Sequence, residues 1–200
     1  LERTTNPVEI MYFPGLFWFC RSLMGLENFL IALYRDPGLI HDMLDFIVQF
    51  TVEVLEPVVE NCKIDFASTP EDMAYKNGPH MSPKHVKEFL VPRYSRITSF
   101  LRKHGIDLVF LDSDGDVRLL IPLWLEAGIN GTSPLEVMSS NDAIELRKKY
   151  GKKLRMVGNI DKLALIAGKE AIDRELENKM PYLLKEGGYL ERAKVLTLRE

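Results

Sequence analysis

Short apolar segments alternate with longer amphipathic ones along the whole chain, and this alternation constrains the fold more than any other feature of the sequence. The apolar segments predict five strands, at residues 7–13, 63–69, 106–112, 129–132 and 153–160. Each one is followed by a segment with helical spacing of its apolar residues. Five such repeats, of roughly 30–45 residues each, are typical of a parallel α/β fold.

Helix boundaries follow from proline, glycine and capping residues. The segment after Pro14-Gly15 predicts one helix up to Asp36-Pro37, which separates it from a second helix. Ser82 and Pro83 supply an N-cap and a first-turn proline for a third helix. The remaining helices are predicted at about 117–127, with Pro122 in the first turn or at a kink, from the cap Asn141 to Tyr150, and at 161–167 and 168–185.

The parallel sheet could be an open doubly wound sheet or a (β/α)8 TIM-type barrel. No GxGxxG or GxxxxGK[ST] motif follows a predicted strand, so the phosphate-binding signatures of the open folds are missing. A complete barrel takes ~250 residues, and this chain has 200 residues, 46% of them hydrophobic. We therefore expect one α/β domain over residues 1–200, an incomplete barrel that lacks the first strands.

Charge and hydropathy exclude several classes of partner. The 26 basic and 29 acidic residues give a net charge of −3 without a basic block, which argues against nucleic acid. No apolar run reaches the ~18 residues of a membrane span, and the N-terminus lacks the layout of a secretory signal. Cys20 and Cys62 match no metal-binding spacing and are expected to be reduced thiols. These features favour a cytoplasmic protein.

Ligands of parallel α/β folds bind beyond the carboxyl ends of the strands. This rule places the candidate site in the segments 14–18, 70–78, 112–116, 132–136 and 159–161. All five are rich in acids, amides, glycine or proline. Trp18 could form an apolar wall for a flat ligand there, with core packing as the alternative for the aromatic residues beside it.

The sequence DSDGD, residues 112–116, places three carboxylates after a strand. A calcium EF-hand is excluded, because its glycine and glutamate positions hold Val117 and Leu123. Two carboxylates could still bind Mg²⁺, or Asp116 could cap a helix that begins at Val117, with Asp114 near its positive end. Asp112, the last strand residue, is expected to point into the mouth of the barrel.

The connection 70–80 is dense in ionisable groups, which include Glu71, Asp72, Lys76 and His80. Such a segment could supply an acid with a raised pKa or an anion clamp, and a solvated loop is the alternative. Glu71 and Asp72 are favoured because they lie closest to the strand. No histidine pair has ligand spacing, which argues against zinc.

The ordered motifs GLFWFCRSLMG, EDMAYKNGP, FLVPRYSRITSFLRKHG, FLDSDGD, GINGTSPLE and MVGNIDKLAL resemble those of the uroporphyrinogen decarboxylase family over residues 7–189. The resemblance implies a (β/α)8 barrel. It also implies one of two activities, decarboxylation without a cofactor or zinc-dependent methyl transfer with a corrinoid protein. The chain would be the C-terminal part of a longer family domain, consistent with an N-terminal truncation, because the early strand and loop that carry the family's arginines and catalytic Asp have no counterpart here.

Single motifs match the family unevenly. GNID resembles the Gly-Asn-Leu-Asp turn of the decarboxylases, but Asp72 stands where they have a substrate-binding Ser, and Leu23 stands where they have a Tyr. The methyltransferases have a His-x-Cys-Gly zinc motif where this chain has residues 112–115. Neither thiolate nor imidazole ligands remain there, so no metal site is predicted.

The resemblance and the strand-end rule together give a function and its residues. We expect a divergent decarboxylase of a porphyrinogen or related carboxylated small molecule, without a cofactor. A corrinoid-dependent methyltransferase and a non-catalytic barrel for a cationic small molecule are the alternatives, and a homodimer is compatible with each. The candidate catalytic residues are Asp112, Asp72 and Asp114, and the candidate substrate-binding residues are Trp18, Arg21, Glu71, Tyr75, Lys76, Glu136, Asn159 and Asp161.

Overall fold

The computed structural model of the protein describes residues 6–185 and 187–190. Six strands form one sheet in the order β1-β2-β5-β6-β7-β8, and every neighbouring pair is parallel. Two short strands, β3 and β4, form a separate antiparallel hairpin. The strands are β1 (Glu9–Met11), β2 (Phe66–Pro70), β3 (Ala74–Tyr75), β4 (Gly78–Pro79), β5 (Val109–Asp112), β6 (Gly131–Leu135), β7 (Arg155–Gly158) and β8 (Tyr189–Leu190).

The sheet order distinguishes the two candidate architectures. Doubly wound sheets reverse their strand order at a switch point, whereas barrel strands follow one another around the sheet. Here each strand of the sheet pairs with the next strand of the same sheet along the chain. The prediction of a partial (β/α) barrel is confirmed, and the carboxyl ends of all six strands lie at one edge.

Helices cover the outer face of the sheet because each connection between parallel strands must cross back over it. They are α1 (Leu16–Met24), α2 (Leu26–Arg35), α3 (Pro37–Asn61), α4 (Pro83–His85), α5 (Val91–Lys103), α6 (Ile121–Glu126), α7 (Ala143–Tyr150), α8 (Lys162–Ala167) and α9 (Lys169–Leu183). A π-helical turn, Val86–Leu90, joins α4 to α5. Their apolar sides bury large residues such as Phe17, Phe29, Tyr94 and Trp124.

The segment predicted as one helix after Gly15 is two helices. The chain breaks at Gly25, whose φ of 75° ends α1, and α2 runs on at 103° to it. Glycine adopts this left-handed conformation without the cost that a side chain brings. The bend lets both helices bury apolar residues, among them Phe17 and Phe29, whose rings meet at 5.5 Å.

Two predicted helix starts are also wrong. The helix expected from Val117 begins only at Ile121, although Pro122 does lie in its first turn. The predicted cap Asn141 is buried, and its neighbour Asp142 instead caps α7 by accepting hydrogen bonds from two backbone N–H groups. Asn141 does not cap α7, because its side-chain oxygen accepts from Val117 N–H (3.4 Å) instead.

No single helix within the described ranges is long and apolar enough to cross a membrane; one bent pair, α1 with α2, meets the length and composition criteria when taken together.

Candidate active site at the carboxyl ends of the strands

The loops that follow β2, β5 and β6 begin side by side. Pro70 of β2 pairs with Asp112 of β5, which pairs in turn with Ser133 of β6. The ladder continues past the strands, since Glu71 N–H donates to Asp112 O (2.9 Å) and Ser113 N–H donates to Ser133 O (2.8 Å). The polar segments of the sequence are therefore brought to one mouth.

Trp18, Arg21 and Asp72 form one cluster at this mouth. The Arg21 guanidinium lies over the Trp18 ring, 4.2 Å from its centre, in cation–π geometry. Arg21 Nη1 donates to the backbone oxygen of Asp72 (3.1 Å), and Nη2 lies 3.7 Å from the Asp72 carboxylate. The Arg21 side chain is 22% exposed, so a guanidinium fixed on two sides is still accessible from the mouth.

Within this cluster Asp72 has an unusual backbone conformation, and the uncharged His80 lies nearby. Asp72 has a φ of 48°, a left-handed conformation that Asp adopts more readily than most residues. The His80 ring stacks on Phe17 at 6.1 Å. Burial and the nearby Arg21 charge lower the pKa of His80, which keeps the imidazole neutral at pH 7. His80 therefore belongs to the site by position.

Glu71 lies beneath this cluster and has no exposed surface. Its carboxylate accepts hydrogen bonds from Leu16 N–H (2.7 Å), Trp18 N–H (2.8 Å) and the Tyr94 hydroxyl (2.5 Å). Burial raises the pKa of Glu71 to about 7, and these hydrogen bonds limit the rise. Glu71 thus holds the start of α1, and its predicted contact with substrate stays a prediction.

The hairpin β3–β4, which the sequence analysis did not foresee, stands over the DSDGD loop. Asp116 N–H donates to Tyr75 O (2.9 Å). Gly115 lies so close that a Cβ there would be 2.5 Å from the Ala74 backbone. Between the hairpin and the loops after β5 and β6 lies an open cleft of about 430 Å³. Its lining residues are Ala74, Tyr75, Lys76, Asp114, Gly115, Glu136, Met138 and Ser139.

The three aspartates of the DSDGD loop have different surroundings. Asp112 accepts a hydrogen bond from the Ser133 hydroxyl (3.3 Å), and Asp114 lines the cleft. Asp116 forms an ion pair with Arg118 (2.7 Å), whose hydrogen bonds lower the pKa of Asp116. Asp116 is therefore paired within its own loop, whereas Asp114 is one of the residues that line the cleft.

Glu136 joins the loops after β5, β6 and β7. Its carboxylate accepts hydrogen bonds from Gly115 N–H (3.0 Å) and Lys162 Nζ (2.9 Å). Burial alone would raise the pKa of Glu136, but these donors outweigh it and lower the pKa below its usual value. Glu136 is therefore ionised at neutral pH and presents a fixed negative charge to the cleft.

Asn141 and Asn159 connect the same loops below the cleft. The Asn141 amide donates to Gly115 O (2.8 Å) and Glu136 O (3.1 Å). The Asn159 amide donates to Asn141 O (2.7 Å) and Leu135 O (3.1 Å), and its oxygen accepts from Ala143 N–H (3.1 Å). We name this pair of buried side chains the amide ladder.

The GNID turn is thus held by structural hydrogen bonds. Asn159 belongs to the amide ladder, and Asp161 caps α8 by accepting from Leu163 N–H (2.9 Å). The backbone N–H of Asp161 donates to Glu175, and Lys179 donates to Asn159 O. Substrate binding by Asn159 and Asp161 stays a prediction.

Comparison with known families decides the membership of the chain. The sequence model described as uroporphyrinogen decarboxylase (URO-D) matches residues 17–189, which is most of the chain. The chain belongs to the URO-D family. No curated protein sequence matches it. The resemblance inferred from the ordered motifs is confirmed at the level of the URO-D family.

In this URO-D family member, seven of the eleven candidate residues form two groups at the mouth, and an eighth, Asp112, lies on a strand below them. Trp18, Arg21 and Asp72 form the first group, Tyr75, Lys76, Asp114 and Glu136 line the cleft, and Asp112 lies on the strand beneath. Glu71, Asn159 and Asp161 hold the surrounding backbone. No group of three or more His, Cys, Asp or Glu side chains in residues 6–185 and 187–190 is placed to hold a metal ion.

Residues that the sequence analysis missed are chiefly hydrogen-bonding partners. Ser133, Asn141 and Lys162 contact candidate residues. Ser133 lies within a candidate strand-end segment and Asn141 was predicted as a helix cap, but the sequence analysis assigned none of the three a role in the site. In the sequence, Lys162, which directly follows the GNID turn, looks like any solvated lysine. Only the spatial approach of one strand-end loop to the next gives these residues a part in the site.

Proposed function

We propose that the protein is a URO-D-type enzyme that removes a carboxylate from a small molecule as carbon dioxide, without a cofactor, in the cleft between the β3–β4 hairpin and the DSDGD loop. One observation carries the proposal: a basic residue, Lys76, and an acidic residue, Asp114, both line this cleft, at the carboxyl ends of the strands. Family membership supports the reaction class.

Decarboxylation needs two kinds of group. A cation must hold a substrate carboxylate, and an acid must protonate the carbon skeleton so that it can accept the electron pair of the breaking carbon–carbon bond. In net terms, RCH2COO⁻ and a proton give RCH3 and carbon dioxide. Lys76 and Arg21 supply the cations. Asp114, with Asp112 beneath it, supplies the carboxylate that exchanges protons with the substrate.

The proposal is tested by incubating the purified protein with uroporphyrinogen and separating the products by the number of carboxylates. We expect products with fewer carboxylates. Asp114→Asn should lower kcat by at least about 100-fold, since a general acid or base contributes about 10²–10⁴-fold. Lys76→Met should chiefly raise KM, because it removes charge from substrate binding.

Glu60→Gln is the matched control for the charge change. Glu60 is exposed in the last turn of α3, which leads into β2 from the other end of the sheet. The activity of Glu60→Gln should equal that of the parent protein. A parent protein that turns over uroporphyrinogen with unchanged kcat after Asp114→Asn would refute the assignment of Asp114.

Methyl transfer with a corrinoid protein is the second candidate. It is favoured by the placement of Asp112 and Asp114 at the positions where the resemblance puts the methyltransferases' zinc motif. Oxygen ligands can bind zinc, although thiolate and imidazole are preferred. Stoichiometric bound zinc, lost together with methyl transfer in Asp112→Asn or Asp114→Asn, would support this candidate and overturn the decarboxylase proposal.

A further inference from the structure

The first turn of α1 receives its cap from a residue far away in the sequence. A helix begins with backbone N–H groups that have no partner within the helix. The N-cap residue Gly15 has no side chain to satisfy them. Glu71 does so instead, with Oε1 accepting from Leu16 N–H (2.7 Å) and Oε2 accepting from Trp18 N–H (2.8 Å). A carboxylate at this position is also favoured by the helix dipole.

Gly15 is what lets the carboxylate come so close. A Cβ at position 15 would lie 2.4 Å from Glu71 Cδ and 2.5 Å from Pro70 O. The backbone of Gly15 is extended, with a φ of −69°, so any residue could adopt its conformation. Glycine is needed there only because a side chain would not fit. The contact between α1 and Glu71 is therefore closely packed.

The helix that Glu71 holds carries two residues of the mouth. The backbone N–H of Trp18 donates to Glu71. Arg21 follows one turn later, with its guanidinium over the Trp18 ring. Asp72, next to Glu71, contacts that guanidinium from the other side. The consecutive acids Glu71 and Asp72 thus both contact α1. Glu71 binds the buried first turn of the helix, and Asp72 binds the partly exposed Arg21 side chain.

We propose that Glu71 is a positioning residue, whose ionised carboxylate sets the places of Trp18 and Arg21 in the mouth by holding the first turn of α1. The proposal rests on the proposed function only for its effect on turnover. Its structural part concerns Trp18 and can be measured without a substrate.

The proton on Glu71 decides how well it can hold the helix. The ionised carboxylate accepts from two backbone N–H groups and from the Tyr94 hydroxyl. A protonated carboxyl has to donate its own hydrogen, and the Tyr94 oxygen is the nearest acceptor. Tyr94 can then donate to Met73 Sδ, which lies 3.6 Å from its hydroxyl. Protonation therefore makes one carboxyl oxygen of Glu71 a weaker acceptor, and it changes the hydrogen bonding between Glu71 and the first turn of α1.

The other titratable groups that face Glu71 keep their charge state near neutral pH. They are Tyr12 after β1, Cys20 on α1 and Tyr94 on α5. Burial raises the pKa of Cys20 to about 12 and raises the pKa of both tyrosines above their usual value. All three are neutral at pH 7, whereas burial places the pKa of Glu71 at about 7.

The test uses the fluorescence of Trp18. The chain has two tryptophans, and Trp124→Phe leaves Trp18 as the single emitter. Between pH 5.5 and 8.5 we expect the emission of Trp18 to change in one step with a midpoint near 7. Glu71→Gln should abolish the step, because its amide does not titrate. Tyr94→Phe removes a hydrogen bond that favours the ionised form and should move the midpoint to higher pH.

Two controls separate this proposal from others. Glu60→Gln makes the same change at an exposed site and should keep the step, and His80→Gln should keep it as well. A step that survives Glu71→Gln but disappears in His80→Gln would overturn the proposal. If Glu71→Gln does not fold, an unchanged midpoint in Tyr94→Phe would overturn it equally. If the Trp18 emission changes with pH as predicted but the protein does not decarboxylate its substrate, the proposed function is refuted and the positioning role of Glu71 stands.

Discussion

Single residues of this protein determine how closely its loops can approach. Gly115 has a φ of 85°, and the backbone of Ala74 fills the space where its side chain would be. The hairpin β3–β4 can therefore lie directly on the DSDGD loop. Conformation and contact both restrict this position to glycine.

Replacing Gly115 separates these two effects. Gly115→Ala should destabilise the protein by about 3 kcal/mol, about 1 from the left-handed backbone and about 2 from the displaced hairpin. Gly105→Ala is the matched control, because Gly105 has a φ of 78° with nothing within 4 Å of the added Cβ. It should cost about 1 kcal/mol. Urea unfolding measures both, and equal losses would show that the hairpin does not restrict Gly115.

The buried Glu71 carboxyl gives the stability a defined pH dependence. Its pKa is raised from 4.5 to about 7, so the folded protein binds this proton more tightly than the unfolded chain. The stabilisation from this group is full below pH 4.5 and is lost as the pH rises to about 7. The parent should therefore lose about 3 kcal/mol relative to Glu71→Gln over this range, at about 1.4 kcal/mol per unit.

Denaturant unfolding at a series of pH values checks this expectation. Acids with lowered pKa, such as Asp116 and Glu136, gain stability as the pH rises, but they are present in both proteins and cancel in the difference. A constant difference between parent and Glu71→Gln would contradict the buried placement of the carboxyl.

The sequence predicts which residues lie near the site better than it predicts what they do. Their positions at strand ends place Asp72 and Asp114 at the mouth, and Arg21 lies in α1, the helix that follows β1. Glu71 and Asp72 look alike in the sequence, yet one is buried under α1 and the other faces Arg21. Burial depends on the direction of each side chain after the strand has ended, and the loop conformation that sets this direction has no periodic pattern.

At the scale of secondary-structure elements, the amide ladder fixes the loops of the mouth. Asn159 satisfies three buried backbone groups, which belong to Leu135, Asn141 and Ala143. Since Asn141 reaches Gly115 in turn, the loop after β7 is connected to the loop after β5. The loops therefore keep their relative positions through side chains that never contact the cleft directly.

Removing the ladder should loosen these loops together. Asn159→Ala leaves three backbone groups without their partner and should destabilise the protein by about 3 kcal/mol, since each unsatisfied buried group costs about 1–3 kcal/mol. Asn61→Ala removes an exposed hydrogen bond at the end of α3 and should cost less than about 0.5 kcal/mol. Urea unfolding compares them, and a loss for Asn159→Ala as small as the control's would refute the ladder.

The main elements were predictable because their signals are local and repeated. Strands appeared as short apolar runs, and the prolines at positions 37, 83 and 122 each lie in the first turn of a helical segment. The hairpin β3–β4 has two residues per strand, which is too short for an alternating pattern. The bend at Gly25 was missed because the apolar spacing continues across it, and a glycine within a helical pattern is often tolerated.

At the scale of the whole molecule, the sequential parallel sheet assigns every site loop to the same edge. This was predictable from the order of strands and helices, because parallel strands require crossover connections and these have one hand. The architecture and the family follow from the complete pattern of the chain. The proposed decarboxylation depends on a few side chains, and the product and zinc measurements test it against methyl transfer.

The two cysteines report on the integrity of this architecture. Cys20 is buried in α1 under the mouth, and Cys62 is exposed at the end of α3. A thiol reagent should modify one cysteine in the native protein and two after unfolding. Cys62→Ser should leave no fast-reacting thiol. Rapid modification of Cys20 in the native protein would show that the packing of α1 against the sheet is wrong.

The sequential order of the sheet also bears on how the protein can be made. Each strand of the sheet after β1 pairs with a strand that precedes it in the chain. On a ribosome, every newly emerging strand therefore finds its hydrogen-bonding partner already synthesised. The sheet can grow at one edge by a unit at a time, and no strand has to wait for a later one to enter between two that are already joined.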